Sequence, residues 1–143
     1  MRSKRGLLII GGAALVLILL VILLISTTSN PDTFPPYAAA LNFSRAVANG
    51  DNAAASAELS SAADQWAAIN CPDGIATCLG RLADPAWGNI LSVVFRRAAP
   101  DGADAYNVEL ISTYEQGVGF SGICVYNRIE KQADGTWKVA GWA

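Results

Sequence analysis

Residues 105–142 read AYNVELISTYEQGVGFSGICVYNRIEKQADGTWKVAGW, and this stretch decides the fold. From Ala105 to Tyr114 the side chains alternate. Tyr106, Val108, Leu110, Ser112 and Tyr114 fall on one face and Glu109 on the other, the period of a strand. Gln116-Gly117 punctuates. Val118 to Glu130 forms the next strand, with Ile123, Val125 and Ile129 opposite Phe120, Cys124 and Tyr126. Asp134-Gly135 is the strongest hairpin signal in the chain, and Thr136 to Trp142 closes that hairpin. Upstream, Ile90 to Arg97 is a β-branched and aromatic run, followed by the turn signal Pro100-Asp101-Gly102. Four strands joined by three hairpins predict an antiparallel meander.

Before Trp87 the texture is helical. Pro35 and Pro36 suit a first helical turn, where their missing N–H groups cost nothing. Tyr37, Ala40, Leu41, Ser44, Val47 and Ala48 then share a helix face, and Asn49-Gly50 ends it. Asp51 can cap a second, alanine-rich helix running to about Ser60. A third helical piece carries Trp66 and Ile69 at i, i+3, and a short one lies around Ile75 to Leu82. Helices first and strands after is an α+β order. The helices must cover one face of the sheet so that its apolar side is buried.

The N-terminus has a different character. Leu7 to Ile25 is a run of 19 apolar residues preceded by Arg2, Lys4 and Arg5. As a helix it spans about 28 Å, close to the roughly 30 Å hydrocarbon core of a bilayer. The run is too long for a secretory signal, and Ile25-Ser26-Thr27-Thr28-Ser29-Asn30 lacks a cleavage pattern. The expectation is an uncleaved single-pass transmembrane helix in the cell membrane. Basic residues on one side set its topology: a cytoplasmic tail 1–6, a span 7–25 in the lipid bilayer, a stalk 26–36 and an extracytoplasmic domain 37–143.

The whole chain carries a net charge of −2, but the exported part holds 7 basic and 12 acidic residues, a net of −5. That argues against a nucleic-acid surface, which needs a basic patch. No histidine occurs, which removes the commonest general base and metal ligand. In an exported domain the three cysteines can form a disulfide. Cys71 and Cys78 flank a short loop, Pro72-Asp73-Gly74, and are the favoured pair. Pairing of Cys124 with either one remains an alternative, because spacing does not decide connectivity. Zinc held by three thiols without histidine is a weaker reading. No metal or cofactor is expected.

The segment Phe43-Ser44-Arg45-Ala46-Val47-Ala48-Asn49-Gly50-Asp51 resembles the first helix of the nuclear transport factor 2-like superfamily, with its Gly-Asp step into a second helix. The ending Asp134-Gly135-Thr136-Trp137-Lys138-Val139-Ala140-Gly141-Trp142 resembles that superfamily's last strand, and the order of elements between them agrees. The resemblance covers essentially residues 36–143. It implies a curved antiparallel sheet wrapped around helices as a cone with a pocket. Single-span members with an exported domain share this layout. Members resembling ketosteroid isomerase place an Asp base and a Tyr oxyanion donor in the pocket, whereas many others bind or assemble without catalysis.

Here the strands carry no Asp, and Glu109 alternates away from Tyr106 and Tyr114. Glu109, Glu115 and Asp104 read as exposed strand charges. Arg96 and Arg97, being consecutive, should face opposite sides as part of a solvated edge. Trp137 and Trp142 differ in parity, so at most one should face the helices. Candidate partner or pocket contacts are Tyr106, Tyr114, Trp137 and Trp142. The expected function is a non-catalytic interaction module, an accessory or assembly subunit with a membrane-protein partner. The alternative is a domain that binds a small apolar ligand, or isomerises one, in the cone pocket.

Overall fold

Helix α1 (Pro35–Ala48) begins on its two prolines and buries Tyr37, Ala39, Ala40, Leu41 and Phe43. The computed structural model describes residues 33–116 and 122–143. The predicted span 7–25, with Arg2, Lys4 and Arg5 before it, lies outside the described residues, as does the start predicted for the third strand. Among the described residues no helix is long and apolar enough to cross a membrane.

The side chain of Asp51 caps α2 (Asn52–Ala57), accepting from the Ala54 N–H at 3.0 Å. This helix stops short of the expected Ser60 because residues 58–60 have another partner. The Ser60 N–H donates to the Val139 carbonyl and the Val139 N–H to the Glu58 carbonyl, both at 2.8 Å. The segment thus covers the edge of the last strand, whose backbone groups would otherwise be unpaired. Ser60 then caps α3 (Ser61–Asn70).

Helix α4 (Ile75–Gly80) starts at Gly74, which has no side chain to cap it. Asn52 does so from α2. Its Oδ1 accepts from the Thr77 N–H at 3.1 Å, and its Nδ2 donates to the Asp73 carbonyl at 3.1 Å and to Thr77 Oγ1 at 3.0 Å. Gly74 adopts φ +95°, and a Cβ there would lie 2.2 Å from Asn52 Cγ, so both conformation and space require glycine. Cys71 and Cys78 are bonded across this turn, with Cα atoms 5.4 Å apart. Cys124 is free and exposed, which removes the alternative pairings.

The four strands are β1 (Ile90–Pro100), β2 (Ala105–Tyr114), β3 (Ile123–Lys131) and β4 (Trp137–Trp142). They pair antiparallel in the order β1-β2-β3-β4, the predicted meander. Residues directly opposite one another share a face. Phe95, Leu110 and Val125 are one such row, and Phe95 meets Tyr37 of α1 edge to face at 4.9 Å. This is the inner face, and its Val93, Val108, Leu110, Ile129 and Val139 are buried.

Of three breaks in register, one between Ile90 and Ser92 lies at the start of β1, and the other two alter what the faces carry. Phe95 is opposite Leu110 but Arg97 is opposite Glu109, so Arg96 is an extra residue, a β-bulge. Arg128 is opposite Gly141 but Ile129 is opposite Val139, so Ala140 is another. Strict alternation placed Arg96 and Arg97 on opposite sides, and Trp137 and Trp142 likewise. The bulges undo both expectations. Arg96 and Arg97 both reach the outer face, and Trp137, Val139 and Trp142 all fall on the inner-face rows.

Candidate functional site

The outer face is organised around Glu109. It sits opposite Arg97 on one side and Tyr126 on the other. Arg96 Nη1 donates to Oε1 and Arg97 Nε donates to Oε2, while the Tyr126 hydroxyl donates to Oε1 at 3.0 Å. The Glu109 side chain is only 2% exposed, whereas those of Arg96 and Arg97 are 49% and 67% exposed. The arginines close over the carboxylate like a lid. The expected exposed Glu109 is therefore corrected: the bulge brings two cations over it, and their stems exclude water. Glu115 and Asp104 are exposed as expected.

Burial alone would push the Glu109 carboxyl up. The hydrogen bonds from Arg97, Arg96 and Tyr126 outweigh that and hold it down to about 2, against its ordinary 4.5. A carboxyl lowered on folding stabilises the folded state above its unfolded pKa, and that stability disappears as pH falls toward its folded pKa. Thermal stability is expected to fall between about pH 5 and pH 2 in the native protein. Glu109→Gln should flatten that part of the profile without changing the slope between pH 6 and 8. An unchanged acid limb, measured by thermal melts across the range, would refute the assignment.

The second feature lies on the inner side. A cavity of about 380 Å³ opens between α1, the chain after α4, and the inner faces of β2, β3 and β4. Phe43, Val47, Leu79, Trp87, Ile90 and Trp142 are among its apolar lining. Trp142 packs on Phe43 and Trp66 with ring centroids 5.7 and 5.5 Å away. Trp87 packs on Tyr114 at 5.2 Å. Burial raises the Tyr114 phenol above its ordinary value, so it stays neutral. Among the described residues, no side chain of Asp, Glu, Lys or Arg lines the cavity.

The predicted contact residues thus divide. Tyr114 and Trp142 line the cavity. Tyr106 and Trp137 pack on each other elsewhere, with centroids 5.6 Å apart. Neither tryptophan projects freely as an aromatic anchor. Sequence reading missed Ser44 and Asn127, whose polar side chains meet across the cavity wall with Asn127 Nδ2 donating to Ser44 Oγ at 3.3 Å. Their only signal was a polar residue at an inward position of an apolar face.

The comparisons with known proteins agree with this architecture. A Campylobacter jejuni protein, whose crystal structure carries the provisional name NTF2-like transpeptidase, superposes with a TM-score of 0.55. The match covers 74% of this chain and 97% of that one, at 14% identity. The fold is therefore NTF2-like, as the resemblance implied. No protein-family model and no curated protein matches the sequence.

Proposed function

We propose that this chain is a membrane-anchored, extracytoplasmic interaction module that binds a protein partner and does not catalyse a reaction. The observation carrying the reading is the state of Glu109. It is the one buried carboxylate among the described residues, and it sits beside a tyrosine hydroxyl, the pair an isomerase of this fold would use. It lies on the face opposite the cavity, however, and two arginines hold it as an anion too weak to accept a proton near neutral pH. Peptidyl transfer, named for the Campylobacter neighbour, needs a nucleophile with a base to activate it. The chain has no histidine, and Glu109, beside the Cys124 thiol, is the same weak base.

A surface suited to a partner is present on α3. Trp66 and Ile69, one helical turn apart, are 49% and 80% exposed. Large apolar side chains presented together mark contact sites, and aromatic residues dominate interface energies. The apolar run 7–25 and the basic residues before it support placement at a membrane, where the partner would be another membrane protein.

Native mass measurement on mild-detergent extracts tests this. The protein is expected to retain a stoichiometric partner, and Ile69→Ser, a change to an exposed side chain, should release it without lowering the melting temperature. A native protein that emerges alone, or a partner indifferent to both Ile69→Ser and Trp66→Ala, would overturn the reading.

A further inference from the structure

The two edges of the sheet differ. Residues 58–60 cover the edge of β4. Strand β1 runs for 11 residues and pairs with β2 alone. Among the described residues, no backbone hydrogen bond reaches the other side of β1. An open row of N–H and C=O groups is a template for another strand, so natural edges carry devices against indiscriminate pairing. Here the devices are the bulge at Arg96 and two exposed cations, Arg96 and Arg97.

We propose that the open edge of β1 receives an extended, acidic segment of a partner protein, which joins the sheet as a further strand and sets a carboxylate against Arg96 and Arg97. In strand addition, backbone hydrogen bonds supply affinity and side chains at alternate positions supply choice. The choice is written in β1. Its sequence, ILSVVFRRAAP, contains two arginines and no acid. Both guanidinium groups share the single carboxylate of Glu109, so the pair keeps a net positive charge. Glu109 holds them from beneath, while much of each side chain still reaches solvent. A second copy of this chain does not fit. Two β1 strands paired about a two-fold axis would bring two pairs of arginines together, with no acid in either strand. An acidic strand meets the opposite condition, because its charge complements the edge.

The register defines what that segment must carry. Val94, 48% exposed, lies on the outer face in a row with Ile111 and Cys124. Arg97 lies in the next row of that face, with Glu109 and Tyr126. Successive rows on one face correspond to positions two apart on an added strand. The segment therefore offers an apolar side chain opposite Val94 and an Asp or Glu two positions away, opposite Arg97. The bulge strengthens the second place, since it brings Arg96 to the same face. Helix α3 meets the sheet at its other edge, where Trp66 packs on Trp142 of β4. The two surfaces are separate, so the two proposals stand or fall independently.

The test uses the full chain in mild detergent and the capped peptide Thr-Thr-Val-Thr-Glu-Thr-Val-Thr, whose symmetric pattern suits either strand direction. Glutamine and lysine replace the glutamate in two control peptides. Binding is followed by calorimetry, by backbone amide resonances and by hydrogen exchange. The glutamate peptide is expected to bind saturably, about fivefold tighter than the glutamine peptide, with the lysine peptide weakest. The gap should narrow as salt is raised. Amides of residues 92–99 should shift and gain protection, whereas those of Trp66 and Ile69 should not. Arg97→Gln should bring the glutamate-to-glutamine ratio toward one. Val94→Ser, at an exposed position that keeps the fold if the arginine variant does not, should weaken both peptides alike. Ile69→Ser should bind the peptides as the native chain does. Absence of saturable binding, equal affinity for the glutamate and glutamine peptides, shifts confined to residues outside β1, or self-association through β1 would each overturn the proposal.

Discussion

Leu110→Ala is expected to lower the unfolding free energy by about 3–4 kcal/mol and the melting temperature by roughly 10–20 °C. Leu110 is fully buried in β2, an inner strand of the sheet, with Phe95 opposite on one side and Val125 on the other. Truncation removes the transfer energy of the lost methyl groups and leaves a hole. The strands on either side are tied by backbone hydrogen bonds, so the hole cannot close by a side-chain shift alone. That places the effect in the upper part of the usual range of about 2–5 kcal/mol for such truncations. It is a large share of the roughly 5–15 kcal/mol that holds a typical domain folded. Leu91→Ala, at a position 63% exposed, is the control and should change stability by less than about 0.5 kcal/mol. Equal effects at the two sites in chemical denaturation would contradict the packing described.

Removing the disulfide by replacing both Cys71 and Cys78 with serine should cost at least about 2.5 kcal/mol, the entropy of the short loop released in the unfolded chain. The cysteines are 7 residues apart. The loss should exceed the loop term, because Cys71 is 3% exposed and a serine hydroxyl there would be desolvated. The same bond holds the start of α4, whose end contributes Leu79 and Gly80 to the cavity wall. Reductant should therefore lower the melting temperature of the native protein and leave the serine variant unchanged. A native protein indifferent to reductant would show that the loop is held by other contacts, chiefly the Asn52 cap.

The meander was legible because alternation, turns and hairpin signals agreed along the chain. Tyr106, Val108, Leu110, Ser112 and Tyr114 share a face as the pattern implied. The helix order was legible from proline, Asn-Gly and capping residues. What alternation could not reveal was a change of phase. Nothing about Arg96 or Ala140 in isolation marks an extra residue, since a bulge is set by the partner strand and not by local preference. Every error about the outer face descends from that: the divided arginines, the exposed Glu109 and the opposed tryptophans. The end of α2 was misplaced for a related reason, because residues 58–60 answer to β4, far along the chain. The cavity was foreseen from the resemblance, but its polar content required knowing which of Ser44, Ser112 and Asn127 converge.

The bulge at Arg96 also bears on how relatives of this chain would align with it. A strand normally forbids insertions and deletions, since losing one residue turns every following side chain over. Here the strand already contains a surplus position, so a relative one residue shorter at this point would keep Ala98 and Val93 on the inner face and simply straighten the strand. Such a relative would hold a single arginine against its glutamate. An alignment that confines gaps to turns would push the deletion to Pro100–Asp104 and pair the wrong residues from Arg96 to the end of the first strand. Length variation inside this strand, opposite a conserved acid, is therefore the evolutionary signature of the paired-arginine lid.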